Sequence, residues 1–535
     1  MDEYAAESLV EWHEWGPEPF EIASRKQQPV LLSLSASWCE ACHEMDRTTY
    51  STPQIAANIG DGFVPIRADV DQHPRVRERY NMGGFPSTVF LTPKGEIITG
   101  AGFMSLDMMR QALDTVRGTW DAKGVQAGRV PRALRDPEPP RGELTADIEA
   151  HFVEQVAASF DEEFGGWGDG AKFPLPRTIE FAAKRDRDRA LRTLEAVAAH
   201  LVDTYDGGFY RYAVNRDWSE LHREKLLDEN AALLRAFATG YLYTGEDSYR
   251  DTAEGAIEYL TTDLWTGDAF AGSQAGGDYY TLEPTEREAA DEPVIDDRLY
   301  ADRNGLAVDA LFRYGAYSDD ERATRYAERA LDHTLDELVD GGEITHCEGG
   351  ETDLLVDSAR LLTGLTTAEQ AVGGYLDPAV EVADHAIDAL WEDSFLDGPR
   401  EGPGMLDRPL RPLETTVELA DALIDLAALT GEDEYHDLAC EALSTFAGAA
   451  DRMSAEVASY GAACARAHYR PLVIETPPAE TDLHRAAWRV ADHEKVVVPG
   501  ERDDAVVVRG GERGSPAETP DELMSRAAAD DPSLK

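Results

Sequence analysis

The stretch PVLLSLSASWCEACHEM, residues 29–45, decides the fold of the N-terminal region. Its first half, Pro29–Ala36, is a short apolar run bounded by turn residues, the pattern of a buried strand. Cys39 and Cys42 follow, where the strand ends and a helix begins. Their spacing puts both thiols on the first turn of that helix. A helix N-terminus favours the thiolate of the first cysteine, whose pKa in such motifs runs from about 3.5 to about 7, against about 8.5 for a free thiol. Cys39 is then the thiol that attacks a partner disulfide, and Cys42 the one that resolves the mixed disulfide. Glu40 opposes this by like-charge repulsion. Half a zinc site and a buried inert pair are the other readings. Zinc needs two more ligands, there is no second CxxC, and His43 alone does not complete the set. No metal and no cofactor are expected.

Working outward, FVPIRADV (63–70) and STVFLTP (87–93) read as two more strands. Leu106, Met109, Leu113 and Val116 lie on one face of a helix. Phe85-Pro86 is a candidate cis peptide beside the cysteine pair. Residues 1–125 thus form an α/β unit. A proline-rich, charged linker, residues 126–143, follows and reads as extended and solvated. Residues 144–470 read as about twelve helices joined by unequal connections, with no repeated motif. Glycine- and aromatic-rich loops, such as FGGWGDGAKFP (164–174) and YDGGFYRYAVNRDW (205–218), favour a closed barrel with a pocket over an open solenoid. Residues 471–535 read as a small α/β segment ending in a helix and a frayed tail.

The 535 residues carry 50 Lys and Arg against 104 Asp and Glu, a formal charge of −54, and only eight of the basic residues are lysine. Acidic, lysine-poor surfaces of this kind point to a halophilic archaeal protein, because molar salt screens the self-repulsion. The charge excludes non-specific binding to a nucleic-acid backbone. No run approaches 18 apolar residues, so no membrane span is expected. The acidic N-terminus does not read as a signal peptide, and five sparse cysteines are no disulfide framework. A cytoplasmic location is expected, and the oligomeric state is left open.

Four stretches carry a family resemblance: WCEACHEMDRTTY (38–50), FGGWGDGAKFPLP (164–176), GGFYRYAVNRDWSELHREKLLDENAAL (207–233) and YADRNGLAVDAL (300–311). Together they resemble the spermatogenesis-associated proteins and the bacterial and archaeal thioredoxin-domain proteins like them. That resemblance implies a thioredoxin-like domain, an all-α (α/α)6 six-hairpin toroid and a barrel similar to sugar 2-epimerases and glycosidases. In thioredoxin folds a proline at the position of Pro86 sits against the cysteine pair. The buried acid six residues before the first cysteine is Ser33 in this chain, so either Glu40 or His43 substitutes for it or turnover is slow. The family's Trp before Asn304 is Arg303, and its Gln-Asp-Ala-Asp run is Gln274-Ala275-Gly276-Gly277-Asp278.

Candidate residues follow from both lines. Cys39 and Cys42, flanked by Trp38 and Pro86, are read as the redox site. In DWSELHREKLLDEN (217–230), His222, Glu224 and Asp228 fall within two turns of an expected helix, where His222 would serve as general acid or base. A salt-bridged helix cap explains the same run without catalysis. Tyr210, Trp167 and Trp218 are candidates to stack on a sugar, with Arg211 beside them. Asp296 and Asp297 are a weaker candidate carboxylate pair. Cys440 and Cys464 read as core residues, and Cys347 as a remote candidate partner for Cys39. Three functions follow: a thiol–disulfide oxidoreductase whose barrel binds a ligand or partner, a carbohydrate-active barrel with a regulatory redox domain, or a non-catalytic scaffold. The expected partners are a protein thiol or disulfide and a sugar in the barrel.

Overall fold

The computed structural model describes residues 8–135 and 137–529. In the N-terminal domain β1 (His13–Glu14), β2 (Val30–Ser35), β3 (Val64–Asp69), β4 (Ser87–Leu91) and β5 (Ile97–Ala101) form one sheet in the order β1-β3-β2-β4-β5. β1, β3 and β2 run parallel, and β4 and β5 are antiparallel. β2 is central and its Val30, Leu31, Leu32 and Leu34 are fully buried, as a continuous apolar run requires. Helices α1 (Pro17–Lys26), α2 (Glu40–Met45), α3 (Pro53–Gly62), α4 (Pro74–Tyr80) and α5 (Leu106–Lys123) cover the sheet. On α5, Met109, Leu113 and Val116 are buried as the spacing predicts.

Twelve helices then close a ring. The outer layer is α6 (Ala146–Ser159), α8 (Arg187–His200), α10 (Asp247–Thr262), α13 (Glu321–Leu338), α15 (Leu376–Leu390) and α17 (Asp433–Ala447). The inner layer is α7 (Pro176–Arg185), α9 (Leu227–Thr244), α12 (Ala301–Ser318), α14 (Leu355–Ala371), α16 (Leu413–Thr430) and α18 (Ala458–Tyr469); a short helix α11 (Pro284–Arg287) lies in a loop. Each inner helix packs on the next, and α18 returns to α7. Composition follows position. Outer α13 buries only the stripe Ala323, Ala327, Ala330, Leu331, Thr334 and Leu338, whereas inner α12 is buried on nearly every side. Gly305 lets α12 and α14 touch, since a Cβ there would meet the Arg360 carbonyl at 2.6 Å.

The long loops all precede inner helices and so gather at one end, as expected of a barrel with a mouth. They carry the short strands β6 (Tyr212–Ala213), β7 (Leu221–His222), β8 (Lys225–Leu226), β9 (Ser273–Gln274), β10 (Ile295–Asp296), β11 (Val339–Asp340) and β12 (Glu343–Ile344). The expectation of no repeated motif is corrected here. Asp161 with Gly165-Gly166 and Asp203 with Gly207-Gly208 form the same turn. In each, the Asp N–H donates to the carbonyl of the second glycine and the first glycine N–H donates back to the Asp carbonyl. All four glycines have φ between 72° and 76°, a region that favours glycine. A buried lysine closes each turn: Lys172 on Asp161 at 2.8 Å and Lys225 on Asp203 at 2.9 Å.

The linker is not solvated throughout, contrary to expectation. Arg129 pairs with Ile97, Leu134 is buried, and Gly142 N–H donates to the Ser444 carbonyl. At the barrel's other end, β13 (Val473–Thr476), β14 (Val496–Pro499), β15 (Val506–Arg509) and β16 (Glu512–Arg513) form a sheet in the order β14-β13-β15-β16, with α19 (Asp482–Trp488) and α20 (Pro520–Ala529). His484 and Trp488 donate to the Gln370 carbonyl, and Val497 N–H to its side chain, so this segment floors the ring. The expected frayed tail past residue 529 lies outside the described residues. Among the described residues, no helix is long and apolar enough to cross a membrane.

Candidate functional site

The cysteine pair lies where the sequence predicts, between β2 and α2. Cys39 caps α2, its Sγ accepts from Cys42 N–H at 3.1 Å, and the two form a disulfide. Phe85-Pro86 is cis, and the Phe85 ring meets Trp38 edge-on at 5.9 Å. Ser33 is buried on β2, so the usual acid is absent from that position. The unexpected feature is enclosure. Trp38, Cys39 and Cys42 are only 4%, 4% and 3% exposed.

The barrel supplies that enclosure. Trp38 Nε1–H donates to Asp71 at 2.8 Å, and the other Asp71 oxygen pairs with Arg303 at 2.5 Å. Arg303, the departure from the family pattern, therefore ties the start of α12 to the redox motif. It also donates to the Gly272 carbonyl at 2.8 Å. His346 completes the joint: Nε2 lies 2.7 Å from the Asp71 carbonyl and Nδ1 lies 2.8 Å from Asp357. A carbonyl only accepts, so Nε2 carries a proton. Asp357 and Asp302 draw a second proton onto the ring, against its burial, and raise the His346 pKa to about 9. Asp302, His346 and Asp357 are close enough to hold an ion, yet both imidazole nitrogens are already engaged.

This gives a pH prediction. A histidine raised from about 6.5 when unfolded to about 9 when folded stabilises the fold fully below pH 6.5. The stabilisation, on the order of 3 kcal/mol, is lost as pH rises through about 9. Denaturant midpoints should fall between pH 7 and 9.5, and His346→Gln should flatten that fall. An unchanged midpoint across the window would refute the assignment.

The second wall comes from the β6–β8 region. The Arg211 guanidinium lies 4.6 Å over the Trp38 ring and pairs with Glu229 at 3.1 Å and Glu224 at 3.3 Å. Burial pushes the Glu229 carboxyl up to about 7. His222 Nδ1 is 3.2 Å from Glu224, and the imidazole stacks on Tyr212 at 4.2 Å with the side chain 44% exposed. The expected helix over His222–Asp228 is corrected. His222 lies on β7, Glu224 on the turn before β8, and only Asp228 on α9. Trp218 and Glu220, with φ of 62° and 58°, turn the chain back into a hairpin.

Other candidates are redistributed. Trp167 and Trp218 are core residues whose Nε1–H groups donate to the Val156 and Phe164 carbonyls, so neither offers a free face to a sugar. Tyr210 is buried with Lys225 below its ring. Asp296 is buried against Tyr300 and Arg298 while Asp297 is exposed, so the two do not act together. Cys347 is buried, which pushes its thiol up to about 12 and makes it a poor partner for Cys39. Cys464 is buried and Cys440 half-buried, much as expected.

Sequence reasoning missed the docking cluster on α4. Arg75 donates to the carbonyls of Pro399 and Leu406, and Arg79 to those of Met405 and Arg408. Arg79 also grips Asp397 with both terminal nitrogens, at 2.6 and 3.2 Å. Two arginines one turn apart on a short helix were the only local signal.

A thioredoxin-like domain with a CxxC pair, set on a six-hairpin (α/α)6 barrel, is the class this fold and site define. The family described as Thioredox_DsbH, a protein of unknown function (DUF255), matches residues 3–127. Human spermatogenesis-associated protein 20 is 26% identical over 318 residues, 52% of this chain and 39% of its own length. The uncharacterized protein B0495.5 of Caenorhabditis elegans is 29% identical over 265 residues, 44% of this chain and 36% of its own. The chain thus spans about two-fifths of the length of these two curated relatives. The thiol:disulfide interchange protein DsbD of Cronobacter sakazakii is 37% identical over 90 residues, 16% of either chain. Among solved structures, the cellobiose 2-epimerase of Bacillus thermoamylovorans aligns with a TM-score of 0.44 at 12% identity, over 55% of this chain and 85% of its own.

Proposed function

We propose that the chain is a thiol–disulfide oxidoreductase in which the barrel mouth forms one wall of the redox site. The observation that carries this reading is the enclosure of Cys39 and Cys42 beneath Trp38, itself held by Asp71 and covered by Arg211. A bulky folded partner does not reach such a pair unless the domains part. The enclosure favours a small disulfide, or an extended peptide segment entering the crevice between domain and barrel. In the reductive direction the Cys39 thiolate attacks the partner disulfide and releases one partner thiolate. Cys42 then attacks Cys39 Sγ and releases the second. Two electrons pass from the cysteine pair to the partner, and an external dithiol restores the pair. Similarity to an interchange protein over 90 residues supports the same chemistry. The acid excess and scarcity of lysine support a halophilic setting of molar salt, and three cysteines left unpaired support a reducing, cytoplasmic one.

Cys42→Ser should leave Cys39 free to hold a mixed disulfide. Trapped adducts on Cys39, absent from a Cys39→Ser/Cys42→Ser control, are the expected result. No adduct with any protein or low-molecular-weight disulfide, together with slow alkylation of Cys39, would overturn the proposal.

A second reading, a ligand-binding or carbohydrate-active barrel, is favoured by one observation. A cavity of about 230 Å³ lies within the ring, lined by Arg177, Glu180, Arg313, Glu418, Arg466 and Lys495 among others. Its polar lining suits a small hydroxylated ligand.

A further inference from the structure

Three lysines of this lysine-poor chain are buried, and they differ in one respect. Lys172 pairs with Asp161 and the Gly168 carbonyl, and Lys225 with Asp203 and the Gly207 carbonyl. Both ammonium groups therefore have a carboxylate. Lys495 has none. It is 4% exposed, and its Nζ makes a single hydrogen bond, to the Asp492 carbonyl at 3.1 Å. The rings of Tyr317 and Trp488 flank it at 5.2 and 5.5 Å. The Tyr317 hydroxyl, beside the Arg313 guanidinium, donates to no acceptor among the described residues. Lys495 comes from the segment that floors the ring and lines the inner end of the axial cavity.

A buried ammonium without a counter-ion is costly, and the neutral amine is the form that such a site retains. Arg313 and Lys184 add like charge, and only Asp492 opposes them; burial dominates and lowers the Lys495 pKa to about 7. A desolvated neutral amine next to another cation, here Arg313, is an activated nucleophile toward carbonyl carbon.

We propose that Lys495 is an amine nucleophile that takes a small polar aldehyde or ketone from the axial cavity as a Schiff base. Nζ adds to the carbonyl carbon and its proton passes to the carbonyl oxygen. Loss of water leaves a C=N bond, so the step needs no oxidant and no reductant. Arg313 lines the same cavity as Lys495, and its guanidinium is the donor to the carbonyl oxygen. The cavity volume of about 230 Å³ restricts the ligand to a small molecule. The site is independent of the cysteine pair, and its failure would leave the redox reading intact.

The test is reductive trapping on the full-length protein with glycolaldehyde and cyanoborohydride, followed by peptide mapping. At pH 7 an adduct should form on Lys495 about tenfold or more faster than on exposed Lys26, Lys94 or Lys123. The Lys495 rate should level off above pH 8. Lys495→Met should remove the fast phase. Should that variant fail to fold, the wild-type map alone decides. Adducts on the exposed lysines with Lys495 unmodified, or Lys495 modified no faster than Lys94, would overturn the proposal.

Discussion

Asp397→Ala should cost about 3–5 kcal/mol and split the thermal transition in two, because it strands the buried Arg79, while Arg75 keeps Glu351 at 3.7 Å. Asp397 accepts two hydrogen bonds from Arg79, whose side chain is fully buried, lies 3.5 Å from Arg75, and also accepts from Leu410 N–H at 2.7 Å. Arg79 keeps its backbone acceptors Met405 and Arg408, but these carbonyls do not neutralise a charge. The loop bearing Asp397 follows α15 and holds α4 of the thioredoxin-like domain. Its loss frees that domain while the ring keeps its own core. Calorimetry should show the smaller unit melting first. After reduction, Cys39 should be alkylated faster than in the parent, since the barrel wall no longer covers it. Arg329→Ala is the control: its partner Asp268 sits in an exposed pair, which is worth at most about 1 kcal/mol. A single transition at the parent midpoint for Asp397→Ala would show that the cluster does not hold the domains together.

The elements legible in the sequence are those specified by local period. PVLLSLSA reads as a buried strand because every position is apolar or small, and the helices show as long runs rich in helix formers, the outer ones with an apolar stripe at helical spacing. The cysteine pair is legible because three residues fix its geometry. What escaped is set by distance or by a turn. Arg79 and Asp397 are 318 residues apart, and nothing around either residue announces the other. Arg303 stands out in the sequence only as a departure from a family pattern. In the fold it is the strut between α12 and Asp71. His222 reads as helical because His222, Glu224 and Asp228 would fall within two turns of a helix. Two non-glycine residues at positive φ reverse the chain just before it, and reversal outweighs propensity. Trp167 and Trp218 stood in glycine-rich loops and read as exposed. Glycines at positive φ instead fold those loops back onto the core, where a backbone carbonyl satisfies each indole N–H. The repeated Asp–Gly-Gly turn escaped because only two copies keep both glycines and the lysine.

Raising potassium chloride from 0.1 to 2 M should raise the melting temperature of the parent steeply, with loosening below about 1 M, and should not rescue Asp397→Ala. The two halves of that expectation have one cause. A formal charge of −54 spreads over the surface, where residues such as Asp107, Glu321, Asp437 and Asp451 are exposed. Shrinking the Debye length from about 10 Å to about 3 Å removes repulsion between such groups. Buried charges are screened far less, so the Arg79–Asp397 and His346–Asp357 contacts keep their strength in salt. Low salt therefore strains the molecule from outside while these contacts hold the two domains together. Salt also strengthens apolar burial, and sucrose separates the two effects because it is excluded from the surface without screening charge. Stabilisation by sucrose equal to that by potassium chloride, or a melting temperature indifferent to salt, would contradict the electrostatic account. Recovery of a single transition by Asp397→Ala in 2 M salt would show that the domain joint depends on screening and not on the buried pair.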